Sequence, residues 1–140
     1  MKRCALLLPF LALCYPLIGQ TADLQISVVG LRSAQGEVHL GLFNQPEAFP
    51  QGERLTGTKV KVESRTVTAV FTGLQPGTYA VSLYHDENSN GRFDKNFLGL
   101  PQEGYGFSND ARPGFGPPSF TKASFTVDGH SKVITITVQY

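Results

Sequence analysis

The chain has 140 residues, of which 41% are hydrophobic and 16% are charged, and its formal net charge is +1. This length is typical of one domain, and the apolar fraction is too high for a disordered tail. The balance of 12 basic against 11 acidic residues lacks the positive excess of a nucleic-acid-binding protein. We therefore expect no nucleic-acid partner.

Residues 1–22 have the three-part pattern of a secretory signal peptide. Two basic residues are followed by an uncharged, mostly apolar run at 4–18 and then by polar residues. The run is shorter than the ~20 apolar residues that a transmembrane helix needs. We predict cleavage after Ala22 or Gly19, with an uncleaved membrane anchor as the alternative, and no membrane span afterwards.

Both cysteines, Cys4 and Cys14, lie in this segment, so we expect a mature domain at 23–140 without a disulfide. Cys14 also permits a lipid-anchored form, although Leu13 is larger than the residue that lipidation requires before the cysteine. We expect a periplasmic protein, with extracellular and lipid-anchored forms as alternatives. A small exported domain without disulfides must be stabilised by its core or by a bound ion.

From residue 23 onward, apolar residues recur with a period of two, which indicates β-strands. Seven such segments occur, and they are centred on Ile26, Leu40, Val60, Ala69, Val81, Phe125 and Ile136. Turn residues separate them, and no window predicts an amphipathic helix. We predict a single all-β domain, a seven-stranded antiparallel sandwich of the immunoglobulin-like or transthyretin-like kind, with a closed barrel as the alternative.

The turn before Tyr79 resembles the Leu-x-Pro-Gly-x-Tyr turn of small secreted sandwiches such as carboxypeptidase regulatory-like domains. Pro76 and Gly77 suit a type II turn. We expect a structural role for Tyr79, with its hydroxyl group bonded to nearby backbone.

One long loop, residues 86–118, interrupts the strand pattern. Loops of this length are usually functional or disordered, and its many large apolar residues argue against disorder. We predict an ordered loop folded over one end of the sandwich. Its aromatic residues form either a ligand surface or a small core, and the residues assigned to this surface are Tyr105, Phe107, Arg112 and Phe115. For Arg112 itself we favour pairing with a loop carboxylate, namely Asp94, Glu103 or Asp110.

The start of this loop has the spacing of a calcium-binding loop. Calcium loops place oxygen ligands at positions 1, 3, 5 and 9, a glycine at position 6 and a backbone carbonyl at position 7. The matching ligands are Asp86, Asn88, Asn90, the backbone carbonyl of Arg92, and Asp94.

Position 12, where an EF-hand has a bidentate glutamate, is Phe97, so the missing carboxylate would come from Glu87, Glu103 or Asp110. We expect weak structural Ca²⁺ binding, with a dissociation constant of ~10⁻⁴–10⁻³ M. The alternative is a set of ordinary turns stabilised by asparagine and aspartate side chains.

A small secreted hydrolase is the alternative function. The region holds polar groups that such an enzyme uses, namely His85, Asp86, Glu103, Tyr105, Ser108 and Asp110. Ser108 is not in a Gly-x-Ser-x-Gly motif, and the three histidines, His39, His85 and His130, lack the spacing of zinc ligands. A non-catalytic module is therefore favoured.

Four motifs in the second half of the chain resemble an uncharacterised family of secreted bacterial proteins, domain of unknown function 2141. They are His-Asp-x-Asn-x-Asn-Gly from His85, Asn-Phe-x-Gly-x-Pro from Asn96, Tyr-Gly-Phe-Ser-Asn from Tyr105 and Phe-Gly-Pro-Pro from Phe115. The resemblance implies export and a compact β domain, and it implies no catalytic residue. We expect a monomeric module of the bacterial cell envelope that binds an unidentified envelope or extracellular ligand.

Overall fold

A computed structural model describes residues 19–140. Most of the predicted signal peptide, including both cysteines, lies outside the described residues. Within them, eight strands alternate with turns and two very short helical segments. The strands are β1 (Ala22–Val29), β2 (Glu37–Phe43), β3 (Thr56–Lys61), β4 (Val67–Leu74), β5 (Gly77–Asp86), β6 (Gly104–Phe107), β7 (Phe125–Val127) and β8 (Lys132–Thr137).

The strands form two sheets. A three-stranded mixed sheet has the order β4-β1-β8, with β1 antiparallel to β4 and parallel to β8. A five-stranded antiparallel sheet has the order β3-β2-β5-β6, and β7 pairs with the start of β5. The all-β prediction is therefore confirmed, whereas the predicted count of seven strands, their purely antiparallel pairing and the closed barrel are wrong for residues 19–140.

One hydrophobic core contains side chains from both sheets. Leu24, Ile26 and Val28 alternate along β1 and are fully buried, while the intervening residues face outward. Leu40 and Leu83, on paired strands of the larger sheet, belong to the same core. The period of two in the sequence thus reports which face of each strand meets the other sheet.

The long segment after β5, predicted as a loop without strands, contains one strand of the larger sheet. Its β6 strand pairs with Ser82–His85 of β5 and extends the larger sheet. A backbone bridge between Tyr105 and Gln139 then links β6 to the chain that follows β8, so β6 joins the two sheets at one edge. At the other end of the larger sheet, β3 is the outermost strand.

The two helical segments follow from local turn chemistry. Ser108–Asp110 is a single 3₁₀ turn, and α1 spans Phe120–Ala123. The hydroxyl group of Ser119 accepts a hydrogen bond from Lys122 N at the start of α1. Ala123, predicted to begin a strand, is therefore helical, and the strand begins at Phe125. No helix in the described part is long and apolar enough to cross a membrane.

Candidate metal loop and aromatic groove

Asp86 is the last residue of β5, and its side chain is fully buried. Its two carboxylate oxygens accept hydrogen bonds from the next turn of the chain: Oδ1 from Asn90 N (3.0 Å) and Oδ2 from Gly91 N (2.7 Å). Gly91 has a φ of +75°, a conformation that favours glycine. The carboxylate therefore closes the loop upon itself, as position 1 of a calcium loop does.

Three further polar side chains of the loop converge on one another. Asp94 Oδ2 accepts hydrogen bonds from Asn88 Nδ2 (2.8 Å) and Asn90 Nδ2 (2.7 Å). The amide oxygens of the two asparagines accept backbone hydrogen bonds within the loop, from Asn90 N (3.1 Å) and Arg92 N (2.9 Å). The structure thus brings Asn88, Asn90 and Asp94 into contact, and Asp86 bonds to the backbone of the same loop. It also forms the turn hydrogen bonds of the alternative interpretation.

Glu103 lies beside this loop, immediately before β6. Its Oε2 accepts a hydrogen bond from Asp94 N (3.1 Å), whereas its Oε1 is buried and has no hydrogen-bond partner. Burial raises the pKa of the Glu103 carboxyl group, and the nearby carboxylates of Asp94 and Asp86 raise it further. The backbone amides of Asp94 and Glu87 oppose this rise. Glu103 is therefore a buried carboxyl group whose ionisation the nearby carboxylates oppose.

The other two carboxylates considered for position 12 have different partners. Glu87 accepts hydrogen bonds from Arg32 Nη2 (2.6 Å) and Ser33 Oγ (2.8 Å). Burial alone would raise the pKa of Glu87, but these hydrogen bonds outweigh it and lower the pKa. Asp110 accepts hydrogen bonds from the backbone and side chain of Thr137. Among the three, only Glu103 faces the loop with an unpaired oxygen.

The turn before β2 supports the root of the loop. Gly36 has a φ of +75°, and a Cβ atom there would overlap the backbone carbonyl of Asp86. Glycine is thus required in the turn between β1 and β2, where the backbone contacts the end of β5.

Aromatic side chains cover the outer face of the larger sheet next to the loop. The ring centroid of Phe93 lies 5.6 Å from that of Tyr84 and 6.1 Å from that of Tyr105, which in turn lies 6.0 Å from that of Phe107. A groove of about 400 Å³ opens over these rings. Its far wall is formed by segments that include Leu100 and, between Pro113 and Pro117, Phe115.

The predicted ligand surface divides into two parts. Phe107 belongs to a second buried cluster, against which Tyr105 packs. Phe115 is fully exposed, as are the residues at the tip of the segment between Asp94 and Gln102. Arg112 is also exposed, and among residues 19–140 it forms no ion pair, so its predicted pairing with a loop carboxylate is not formed.

The residues considered for a hydrolase do not form one site. Ser108 is buried, and its hydroxyl group bonds to the backbone of Val81 and Ala123. His85 is also buried, and its ring nitrogens bond to the hydroxyl group of Tyr140 and the carbonyl of Gln35, both at 2.7 Å. Because these two residues have no common partner, the serine is not activated by the histidine.

Residue spacing indicates neither Glu37 nor His39 as a neighbour of Asp86, and it disfavours His39 as a zinc ligand. The register of β2 and β5 places Glu37 opposite Asp86 and His39 opposite Tyr84, all on the outer face of the sheet. The Nε2 atom of His39 lies 3.4 Å from carboxylate oxygens of both Glu37 and Asp86. The spacing of two along β2 was the available signal, but the partner strand could not be assigned from it.

A family model described as an uncharacterised protein conserved in bacteria, domain of unknown function 2141, matches residues 26–135. The chain belongs to this family. The match spans both sheets, the candidate metal loop and the groove, which confirms the predicted resemblance to domain of unknown function 2141. No match to a curated protein was found.

Among solved structures, this family member is similar to a pilus-presented adhesin, Spy0125 (Cpa), determined as a cysteine-to-alanine mutant. The sequence identity is 16% and the TM-score is 0.31. The similar region covers 88% of this chain but 28% of the adhesin chain. The chain thus corresponds to less than a third of the adhesin, and a TM-score of this size does not establish a common fold.

Proposed function

We propose that this protein is an exported, non-catalytic β-sandwich module of the bacterial cell envelope that binds its partner through the aromatic groove, with a Ca²⁺ ion stabilising the loop beside it. The observation that carries the calcium assignment is the Glu103 carboxyl group, whose Oε2 accepts a hydrogen bond from Asp94 N while its Oε1 is buried without a hydrogen-bond partner. A buried charge is costly unless it is paired. Glu103 already contacts Asp94 through the backbone amide of Asp94. One oxygen from each of Asp86, Asp94 and Glu103 does not lie within 4.8 Å of the other two, so a divalent cation bound by all three would require the loop to draw them together.

Calcium binding requires a limited rearrangement. Asn88 and Asn90 now donate their amide hydrogens to Asp94, and they would have to turn their oxygens towards the ion. The hydrogen bonds lost in this change oppose binding, which agrees with a weak site in the range of extracellular modules, ~10⁻⁴–10⁻³ M. Glu103 would supply the carboxylate that the loop lacks at position 12.

The ion would also order the groove. Phe93 directly precedes Asp94, and Glu103 directly precedes β6, which carries Tyr105. A bond from one ion to both carboxylates would hold Phe93 against Tyr105, the two rings that form the groove floor. Calcium is therefore proposed to stabilise the aromatic groove by fixing the positions of Phe93 and Tyr105.

The non-catalytic assignment is supported by the buried, backbone-bonded positions of Ser108 and His85. A hydroxyl group that donates to a backbone carbonyl in the protein interior is not available to attack a substrate. No contact among residues 19–140 favours the hydrolase.

Export is supported by the sequence of the first 22 residues, and the position of Ala22 favours one of the two predicted cleavage sites. Ala22 is buried in β1 and pairs with Leu74. Cleavage after Gly19 would leave this strand complete. Mass spectrometry of the protein recovered from the periplasm tests the proposal. A mature chain that begins at residue 20 supports it, and an uncleaved chain in the membrane fraction contradicts it.

Calorimetric titration and thermal melting test the calcium site. With a dissociation constant of ~1 mM, 10 mM Ca²⁺ stabilises the native state by about 1.4 kcal/mol, which raises the melting temperature by roughly 5 °C. Glu103→Gln should lose this effect, and the exposed control Glu63→Gln should keep it. Absence of both heat and a melting shift in the unmodified protein would exclude the site.

Hydrogen exchange tests the link between ion and groove. Amide exchange in residues 93–107 should slow on addition of Ca²⁺ to the unmodified protein but not to Glu103→Gln. If calcium binds and exchange in this segment is unchanged, the ion does not order the groove.

A further inference from the structure

A second group of metal-ligand atoms lies on the outer face of the larger sheet. Glu37 and His39 are alternate residues of β2, so their side chains point to the same face, and Asp86 lies opposite Glu37 on β5. One ligand atom from each residue lies within 4.8 Å of the other two. The sheet register alone thus brings an imidazole and two carboxylates together.

We propose that Glu37, His39 and Asp86 bind a first-row divalent cation of the Zn²⁺ type. Zinc–nitrogen and zinc–oxygen bonds of 2.0–2.2 Å in a tetrahedral site place neighbouring ligand atoms about 3.4 Å apart. His39 Nε2 lies 3.4 Å from Glu37 Oε2 and 3.4 Å from Asp86 Oδ2. Mixed nitrogen and oxygen ligands suit zinc and its neighbours in the first transition row, and a water molecule would complete the coordination.

The Nε2 atom of His39 lacks a hydrogen-bond partner within the protein, which supports binding of an external ion. This atom is buried and forms no hydrogen bond, although carboxylate oxygens lie on two sides of it. Leaving such an atom unpaired destabilises the folded state. A cation between the nitrogen and the two oxygens would satisfy all three atoms.

Two of the three ligands are already held in position. The His39 ring stacks on Tyr84, with centroids 4.8 Å apart and an interplanar angle of 20°. Asp86 is fixed by hydrogen bonds from the backbone of Asn90 and Gly91. Little conformational entropy is therefore lost when they coordinate an ion.

The site is open to solvent and its charge balances. The side chains of His39 and Glu37 are 20% and 28% exposed, which leaves a route for the ion. Two carboxylates neutralise a divalent cation. Lys59 Nζ, which contacts Glu37 Oε2 at 3.3 Å, would be displaced, and it is 64% exposed and free to move into water. This site shares Asp86 with the calcium loop, whose backbone holds that side chain in place, but it needs no Ca²⁺ ion.

Zn²⁺ titration of calcium-free protein, followed by calorimetry, tests the proposal, and Co²⁺ is used as a visible-absorption probe of nitrogen and oxygen ligands. His39→Gln and Glu37→Gln should each weaken Zn²⁺ binding by about tenfold or more and remove the Co²⁺ absorption, since each deletes one ligand. Circular dichroism checks that the variants fold, and Glu37→Gln, at a partly exposed residue, provides the test if His39→Gln does not.

Two control variants test whether Zn²⁺ binds elsewhere, at an exposed histidine or in the calcium loop. His130→Gln changes an exposed histidine that lies 3.2 Å from Asp128, and Asp94→Asn alters the calcium loop without changing the three proposed ligands. Both should bind Zn²⁺ within about twofold of the unmodified protein. The proposal is overturned if the unmodified protein binds no Zn²⁺ at millimolar concentration, if His130→Gln loses binding, or if Asp94→Asn loses as much affinity as His39→Gln. Loss of Ca²⁺ binding in Asp94→Asn with Zn²⁺ binding retained would support it.

Discussion

Replacing Ser108 with alanine tests whether this serine is structural or catalytic. Its hydroxyl group accepts a hydrogen bond from Val81 N (2.9 Å) and donates one to Ala123 O (2.6 Å), and the side chain is fully buried. Alanine removes the hydroxyl group and leaves a donor and an acceptor unpaired in the interior. It introduces no bulk, so the loss reports on these hydrogen bonds.

The expected loss of stability is large for the removal of a single oxygen atom. Each buried polar group left unpaired costs about 1–3 kcal/mol, so Ser108→Ala should lower the free energy of unfolding by about 2–4 kcal/mol. For a domain of this size the melting temperature should fall by roughly 10 °C. Because Ser108 joins β5 to the end of α1, the loss should appear as global destabilisation.

Urea denaturation followed by circular dichroism measures this loss. The control is Ser131→Ala, at an exposed position, which should change the free energy of unfolding by less than about 0.5 kcal/mol. An unchanged urea midpoint for Ser108→Ala would refute the structural role. A normally stable variant that had lost a hydrolytic activity would instead identify Ser108 as a nucleophile.

Three further predictions concern the turn before β5, the buried glutamate and the root of the loop. Tyr79→Phe removes the hydrogen bond from the tyrosine hydroxyl group to Gln75 O (2.7 Å) and should cost about 1 kcal/mol in urea denaturation; an unchanged midpoint would contradict it. The raised pKa of Glu103 means that the calcium-free protein loses stability as pH rises through the unfolded pKa and up to the folded one. Glu103→Gln should lack this loss and be more stable than the unmodified protein at pH 7 without calcium, whereas equal stability profiles from pH 4 to 8 would contradict the pKa shift. Gly36→Ala forces a side chain against the carbonyl of Asp86 at positive φ and should lower the free energy of unfolding by more than 2 kcal/mol; a smaller loss on thermal melting would show that the turn can move.

The strands with apolar alternation were predictable, and β6 was not, for a specific reason. In β6 the residues that face the core are Gly104 and Gly106, where a Cβ atom would clash with side chains that include Tyr140 and Ile136. The large residues, Tyr105 and Phe107, point to the opposite face of the sheet, where Phe107 belongs to the second buried cluster. A strand with glycines on its core-facing side lacks the alternation of apolar and polar residues that predicts a strand.

The candidate site was predictable only in its local part. The spacing from Asp86 to Asp94 indicates a loop that gathers oxygens, because those contacts are between near neighbours in sequence. The choice of Glu103 over the other carboxylates depends on where β6 pairs, and the proximity of His39 depends on the register of β2 with β5. Such contacts follow from tertiary structure, so residue spacing does not contain them.

The outermost position of β3 has a consequence for behaviour in concentrated solution. A strand with one unpaired side can recruit a strand from another molecule and begin aggregation. In β3 the exposed Lys59 and Lys61 lie on alternate residues, so two copies approaching through this strand would bring like charges together. At the opposite edge, hydrogen bonds between Tyr105 and Gln139 already occupy part of β6. The larger sheet is thus protected at both of its edges against growth into intermolecular fibres, and loss of the two lysine charges would weaken that protection at β3.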